Sequence, residues 1–294
     1  MVRVTGHDRV RRSRLAQRPS QRHLFGVGEV LPARHQQAVL LQEGEQDAAV
    51  EVSGKAGPRE LRAERAGDGL DVDLLHGRDD AIGTLPNVNA PGRQMWDDRY
   101  GGGEYFYGTE PNGFLHAHTA AIPAGGRVLC IAEGEGRNAV HLARRGFTVS
   151  SFDLSAAGVR KTLRLAEEAA VTVDAVVADA AEFDVGEGVW DGIVSIFAHM
   201  PPTLRADLHR RVATGLKPGG VFLLEAYTPD QIGRGTGGPN VPEMMPTLEV
   251  LRHELAGLEE VHGEELVRTV IEGSGHTGEA AVVQFIARSA GSSR

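Results

Sequence analysis

The stretch Val128–Val140, VLCIAEGEGRNAV, constrains the fold of this chain more than any other. Leu129, Cys130 and Ile131 form a short apolar run suited to a central parallel strand. The chain then turns through Gly134 and Gly136 and enters a helix-forming segment at Asn138–Arg145. A strand that feeds a glycine turn and then a helix makes a nucleotide site. The glycines let backbone approach the ligand, and the helix start presents unpaired N–H groups.

The next two strands supply acids at the matching ends. Phe147–Phe152 ends at Asp153, 17 residues past Gly136. A carboxylate at that tip accepts from both ribose hydroxyls, which points to an adenosine ligand. Ser155 stands ready to cap the helix Ala156–Ala169. A third strand, Asp174–Ala178, delivers Asp179 for an adenine amino group, and the following Ala180 offers its N–H to a ring nitrogen. In an open α/β sheet such strand ends line one crevice, so the three together say more than each alone. Leu154 and Phe197, beside the second and fourth strand ends, complete the expected cofactor set.

Trp190–Phe197 reads as a fourth buried strand, followed by His199 and the turn Pro201-Pro202. Leu204, Leu208, Val212 and Leu216 recur every four residues and mark the core face of a helix. Lys217-Pro218-Gly219-Gly220 then turns the chain into a fifth strand, Val221–Tyr227. The Gly/Pro-rich loop 232–246 is too long for a routine connection. Thr247–Leu258 reads as a helix. The last two strand-like segments, Glu260–Glu272 and Ala280–Arg288, are joined only by GSGHTG, so they are expected to be antiparallel.

The ordered set EGEGRN, Asp153, Ala178-Asp179, WDGIVSIFAHM and LKPGGVFLLEAY resembles a class I S-adenosylmethionine (SAM)-dependent methyltransferase. With the lead-in WDDRY…YGTEPN, it is similar to the tellurite-resistance and thiopurine methyltransferase-like branch. The resemblance covers Met95–Arg288. It implies an α/β, Rossmann-like seven-stranded sheet with a C-terminal antiparallel hairpin and helices on both faces. It also implies that Gly134, Gly136, Asp153 and Asp179 hold SAM. Two positions depart from the pattern: Cys130 stands where relatives carry an acid, and Ala132 where they carry glycine. Glu133 supplies a carboxylate at the turn instead, and is a candidate for the SAM amino group.

The expected reaction is methyl transfer to a small-molecule acceptor, with a soft nucleophile (thiol, selenol or metalloid) needing little beyond alignment and exclusion of water. A harder nucleophile would want a base, and His199 is the candidate. Trp96, Tyr107, Tyr227 and Arg234 are the expected substrate-pocket residues, with Arg234 placed to clamp an anion. The dense aromatics of the lead-in suit either a packing flap or a lid over the sulfonium. His116 and His118, two apart on a helix, point to different faces, and no metal is expected. Two alternatives stay open: a non-enzymatic SAM-binding protein, and a nicotinamide-dependent oxidoreductase, since Gly134–Ala139 also fits G-x-G-x-x-A. A dehydrogenase of that kind would carry another parallel half in place of the final hairpin.

The chain has 294 residues, a formal charge of −9 and one cysteine. The charge argues against nucleic-acid binding, the lone cysteine suits a reducing cytoplasm, and no apolar run reaches membrane length. Of 15 Phe, Trp and Tyr, only Phe25 precedes Met95. Residues 1–94 carry charge +1 against −10 for residues 95–294. So aromatic-poor a segment is expected to be a disordered extension or the product of a misplaced start site, with Met95 the native start. Gln36–Leu41 is its best candidate element. Residues 95–294 are the expected catalytic domain.

Overall fold

The computed structural model describes residues 92–291, together with the backbone of 23–25, 48–54, 57–66 and 69–74. The chain divides into two units, Met1–Gly83 and Thr84–Arg294. In the first, β1 (His23–Phe25), β2 (Ala48–Gly54), β3 (Gly57–Ala66) and β4 (Gly69–Leu74) form a four-stranded sheet in that order. The expected element Gln36–Leu41 lies outside the described residues.

The second unit opens with α1 (Arg93–Tyr100) and α2 (Gly113–His118). Asn112 caps α2, its Oδ1 accepting from the Leu115 N–H at 3.0 Å. Five parallel strands follow: β5 (Arg127–Ile131), β6 (Thr148–Asp153), β7 (Val173–Val177), β8 (Trp190–Ile196) and β9 (Leu216–Tyr227). Between them run α3 (Arg137–Arg144), α4 (Ala156–Glu168) and α5 (Pro202–Gly215). After α6 (Leu248–Glu254), β10 (Glu259–Glu272) and β11 (His276–Arg288) close the fold. The sheet order is β10-β11-β9-β8-β5-β6-β7. β11 runs antiparallel to β9, and β10 antiparallel to β11. The seven-stranded α/β sheet with its reversed hairpin is thus present, and among the described residues there is no second parallel half of a dinucleotide dehydrogenase.

Alternation along the strands makes two cores. Val128 and Cys130 of β5 join Leu115, Val140, Leu142 and Leu165, on the face that α2, α3 and α4 cover. Leu129 and Ile131 join Leu208, Val212, Leu251 and Leu255, on the face of α5 and α6. Both sides of β5 are buried, which is why it reads as an unbroken apolar run. Cys130 is fully buried, and burial raises its thiol pKa well above the usual value, so it is inert packing. Order reverses at β5, with β6 on one side and β8 on the other. The crevice at the C-terminal ends of these strands is therefore where such a sheet binds ligands.

Candidate active site

The glycine turn is shaped by what lies against it. Gly134 and Gly136 have φ of 68° and 95°, the left-handed region. A Cβ on Gly136 would fall 2.7 Å from the Thr162 Cα, so α4 packs onto the turn only because that side chain is missing. Ala132 also lies at positive φ, 48°. This alanine takes a conformation that suits glycine, at a cost of about 1–2 kcal/mol.

Three strand tips meet at this turn. The Gly134 N–H donates to Asp153 Oδ2 at 2.8 Å, and the Ala178 N–H donates to the Asp153 carbonyl at 2.9 Å. Asp153 Oδ1 accepts from the Ser155 N–H at 2.8 Å. Two amides fill two of a carboxylate's four or so acceptor positions, leaving capacity for two vicinal hydroxyls. Burial pushes the Asp153 pKa up to about 6, against those amide bonds. Asp179 is half-buried, its Oδ1 accepting from Ala181 N–H at 2.9 Å, and Ala180 is half-buried beside it. Leu154 and Phe197 are half-buried as well. Phe197 sits at φ 53°, so the tip of β8 is held in a conformation that L-residues rarely take.

Glu133 stands at the turn, where one of its oxygens is committed to the start of α3. Its Oε1 accepts from the N–H groups of Asn138 and Ala139, both at 2.8 Å. It thereby caps α3, whose own cap, Gly136, has no side chain to offer. Burial raises its pKa to about 7 despite the amides of Ala139 and Asn138. The oxygen assigned to a cofactor's ammonium is engaged with the helix.

The lead-in closes over the same end of the sheet. Asp97 Oδ1 accepts from Ser155 Oγ at 2.5 Å and from Ala157 N–H at 3.0 Å, which seats α1 on the start of α4. Trp96 stacks on Tyr100, ring centroids 5.5 Å apart. Glu135, in the middle of the glycine turn, accepts from Tyr107 N–H at 3.2 Å and from Lys161 Nζ at 2.7 Å. Beyond Tyr107 lies an aromatic cluster: His276 stands 4.3 Å from the Tyr107 ring, 4.6 Å from Phe197 and 5.3 Å from Tyr227. Tyr107 and Tyr227, expected in one pocket, do come together, and His276 is what joins them.

Two expected roles do not survive. His199 Nε2 accepts from the Tyr227 backbone N–H at 3.0 Å, and its ring stacks on Tyr227. That nitrogen is therefore engaged by the backbone, and burial lowers the ring's pKa to about 3. Arg234 is exposed and its Nε donates to the Asp230 carbonyl at 3.0 Å, so it braces its own loop and does not reach the aromatic cluster.

Sequence reasoning missed a buried polar network behind the cluster. Glu225, on β9, is fully buried and accepts from Arg268, Asn112 and Gln284 at 2.6–2.7 Å. Glu272, on β10, pairs with Arg137 at 2.5 Å and accepts from Asn112 at 2.9 Å. Burial alone would raise the Glu272 pKa, but His276, Arg137 and Arg268 outweigh it and hold the carboxyl down at about 2. The only sequence signal was acids and arginines inside otherwise apolar strands, where an unpaired charge is costly.

Residues 128–220 match the family described as a methyltransferase domain. That stretch of the chain carries a methyltransferase domain. Its cofactor is S-adenosylmethionine. The match spans β5 to the start of β9, which includes the glycine turn and all three strand tips. Among solved structures, a protein of echinomycin biosynthesis, described as converting a disulfide bond into a thioacetal group, is 17% identical with TM-score 0.57, covering 69% of this chain and 93% of that one. The cyclase SpnF is 16% identical with TM-score 0.51, covering 70% and 98%. TehB from Haemophilus influenzae is 17% identical with TM-score 0.49, covering 67% and 66%. At these identities the likeness is one of fold. No curated protein matches the chain.

The methyltransferase site fits its cofactor on its own geometry. A glycine turn that a Cβ would fill, a buried carboxylate with spare acceptor capacity and an aromatic wall beyond the turn suit a ribose followed by a sulfonium.

Proposed function

We propose that this enzyme methylates a small-molecule acceptor through a soft nucleophile, a thiol, selenol or metalloid, held in the aromatic cluster of Tyr107, Phe197, Tyr227 and His276. The observation that supports this is the bridge made by Tyr107. Its backbone binds Glu135 of the glycine turn, while its ring packs on His276 of the cluster. Cofactor and acceptor sides therefore share one wall. Bound SAM supplies an electrophilic methyl carbon on a sulfonium. Asp153 takes the ribose hydroxyls, Asp179 and Ala180 the adenine edge, Gly134 and Gly136 the close backbone approach, and Leu154 and Phe197 the apolar walls. The lead-in, with Trp96 stacked on Tyr100, excludes water. The tellurite-resistance and thiopurine-like branch is supported by the WDDRY and YGTEPN lead-in, and residues 95–294 are taken as the catalytic unit. The test is release of S-adenosylhomocysteine across a panel of thiols, selenols, metalloid oxyanions, phenols and amines. Turnover of at least one soft acceptor is expected; turnover confined to phenols or amines, or none at all, rejects the reading.

A further inference from the structure

The first residue of β11 is a histidine that reads, in sequence, as part of a linker. Glu272 and His276 are the last opposed pair of the hairpin before its turn. The His276 side chain is only 7% exposed, and among the described residues its Nδ1 has no hydrogen-bond partner. That nitrogen faces Glu272 Oε2 at 3.9 Å. Glu272 in turn is fixed by Arg137, Arg268 and Asn112. At that separation there is no hydrogen bond, but the carboxylate's charge favours the tautomer with the proton on Nδ1, which leaves the other nitrogen to act as a base.

The turn is built to hold this pair against the lead-in. Ser274 N–H donates to the Phe106 carbonyl at 2.9 Å, and so does Gly275 at 3.3 Å. A Cβ on Gly275 would lie 2.3 Å from Phe106 and 2.5 Å from Tyr107. His276 is thereby pressed between Tyr107 of the lead-in, Phe197 at the tip of β8 and Tyr227 at the end of β9. The network behind it is balanced: Glu225 and Glu272 are matched by Arg268 and Arg137. At the rim, Arg99 donates to Tyr107 Oη at 3.1 Å. An anionic acceptor would have to be desolvated against paired charges, whereas a neutral one would not.

We propose that His276, oriented by Glu272, takes the proton from an acceptor that enters as a neutral thiol. This rests on the small-molecule methyltransferase reading above. A free thiol has a pKa of about 8.5 and is mostly protonated at neutral pH, so it profits from a base. The acceptor sulfur forms its bond to the donor methyl carbon, and the bond from that carbon to the donor sulfur breaks, its electron pair remaining on the donor sulfur. The S–H proton passes to the imidazole nitrogen that does not face Glu272, and then to water. The groups around His276 suit this role. Burial lowers its pKa, with Glu272 opposing and Arg137 and Arg99 adding to the fall, which favours the neutral ring. His199, Tyr107 and Tyr227 are the other titratable groups facing it.

The test compares the full-length wild type with His276→Gln on an alkyl thiol and on a more acidic aryl thiol, from about pH 6 to 9. For the alkyl thiol, kcat of the variant is expected to fall about 100-fold at neutral pH. The loss should shrink for the aryl thiol and as pH rises, because the thiolate then forms unaided. SAM affinity by calorimetry should stay within about twofold, which also shows that the variant is folded. A second readout needs no turnover: in Glu272→Gln, the His276 imidazole should titrate at lower pH by NMR. Equal rates for wild type and His276→Gln on both thiols overturn the proposal, as does an imidazole titration unmoved by Glu272→Gln. If the wild type turns over another acceptor but neither thiol, the thiol assignment fails and the methyltransferase reading stands. If it turns over no acceptor, that reading fails.

Discussion

The two sides of the glycine turn are built on different principles. On the side proposed for the adenosyl group, Gly134, Asp153 and Ala178 are tied by backbone amides at neighbouring strand tips. Each group there sits where its own strand ends, and a parallel sheet brings successive ends together whatever the rest of the chain does. On the acceptor side, Asn112, Arg137, Glu225, Arg268, Glu272 and His276 come from five elements, and their contacts span up to 160 residues. The first region is a consequence of topology. The second is held by side-chain charge pairs that must all be made at once.

That contrast predicts where each side breaks. Removing a partner from the buried network leaves an uncompensated charge. Glu225→Ala should therefore destabilise the protein by about 3–5 kcal/mol in denaturant melts. A loss under about 1 kcal/mol would mean that the network is solvated and the two sides are alike. Gly275→Ala should cost about 1–3 kcal/mol, because the lead-in must retreat from the turn. Faster proteolysis within residues 101–108 would report that retreat, and unchanged cleavage would deny it.

Acid should act on the adenosyl side first. Burial raises Asp153 to about 6, so its carboxylate form is present above that pH and is lost as pH falls through it. SAM affinity by calorimetry is expected to be level above about pH 6 and to drop roughly tenfold per unit below. Affinity independent of pH between about 4.5 and 7 would remove Asp153 from the ribose. The smallest effect is expected at His199, whose Nε2 is occupied by the Tyr227 amide. His199→Asn should change kcat by less than about threefold and leave the pH–rate profile unmoved, whereas loss of one limb of the profile would restore it as the base.

The arrangement of the glycine turn was legible because its signals are local. The glycine turn, Asp153 and Asp179 each follow directly from a strand, and Ser155 caps α4 where a serine before a helix should. The final hairpin was legible from the shortness of GSGHTG. What sequence left hidden depends on register and distance. Only the pairing of Glu272 with His276 across the hairpin brings that histidine inward. The positive φ of Phe197 and Ala132 has no compositional mark. His199 and Arg234 were assigned by position after a strand or in a loop, and position does not reveal that an amide or a carbonyl already occupies them. Glu133 was placed correctly at the turn, but the uncapped start of α3 claimed its oxygen.

In the proposed division of labour, Asp153 holds the donor and the hairpin serves the acceptor. Calorimetric titration of SAM into Asp153→Asn and His276→Gln, beside the wild type, tests it most directly. Asp153→Asn should weaken binding about 100-fold, since hydrogen bonds to a charged acceptor contribute about 1.5–3 kcal/mol, while His276→Gln should leave it unchanged. Equal affinities for wild type and Asp153→Asn, or a large loss in His276→Gln, would contradict it.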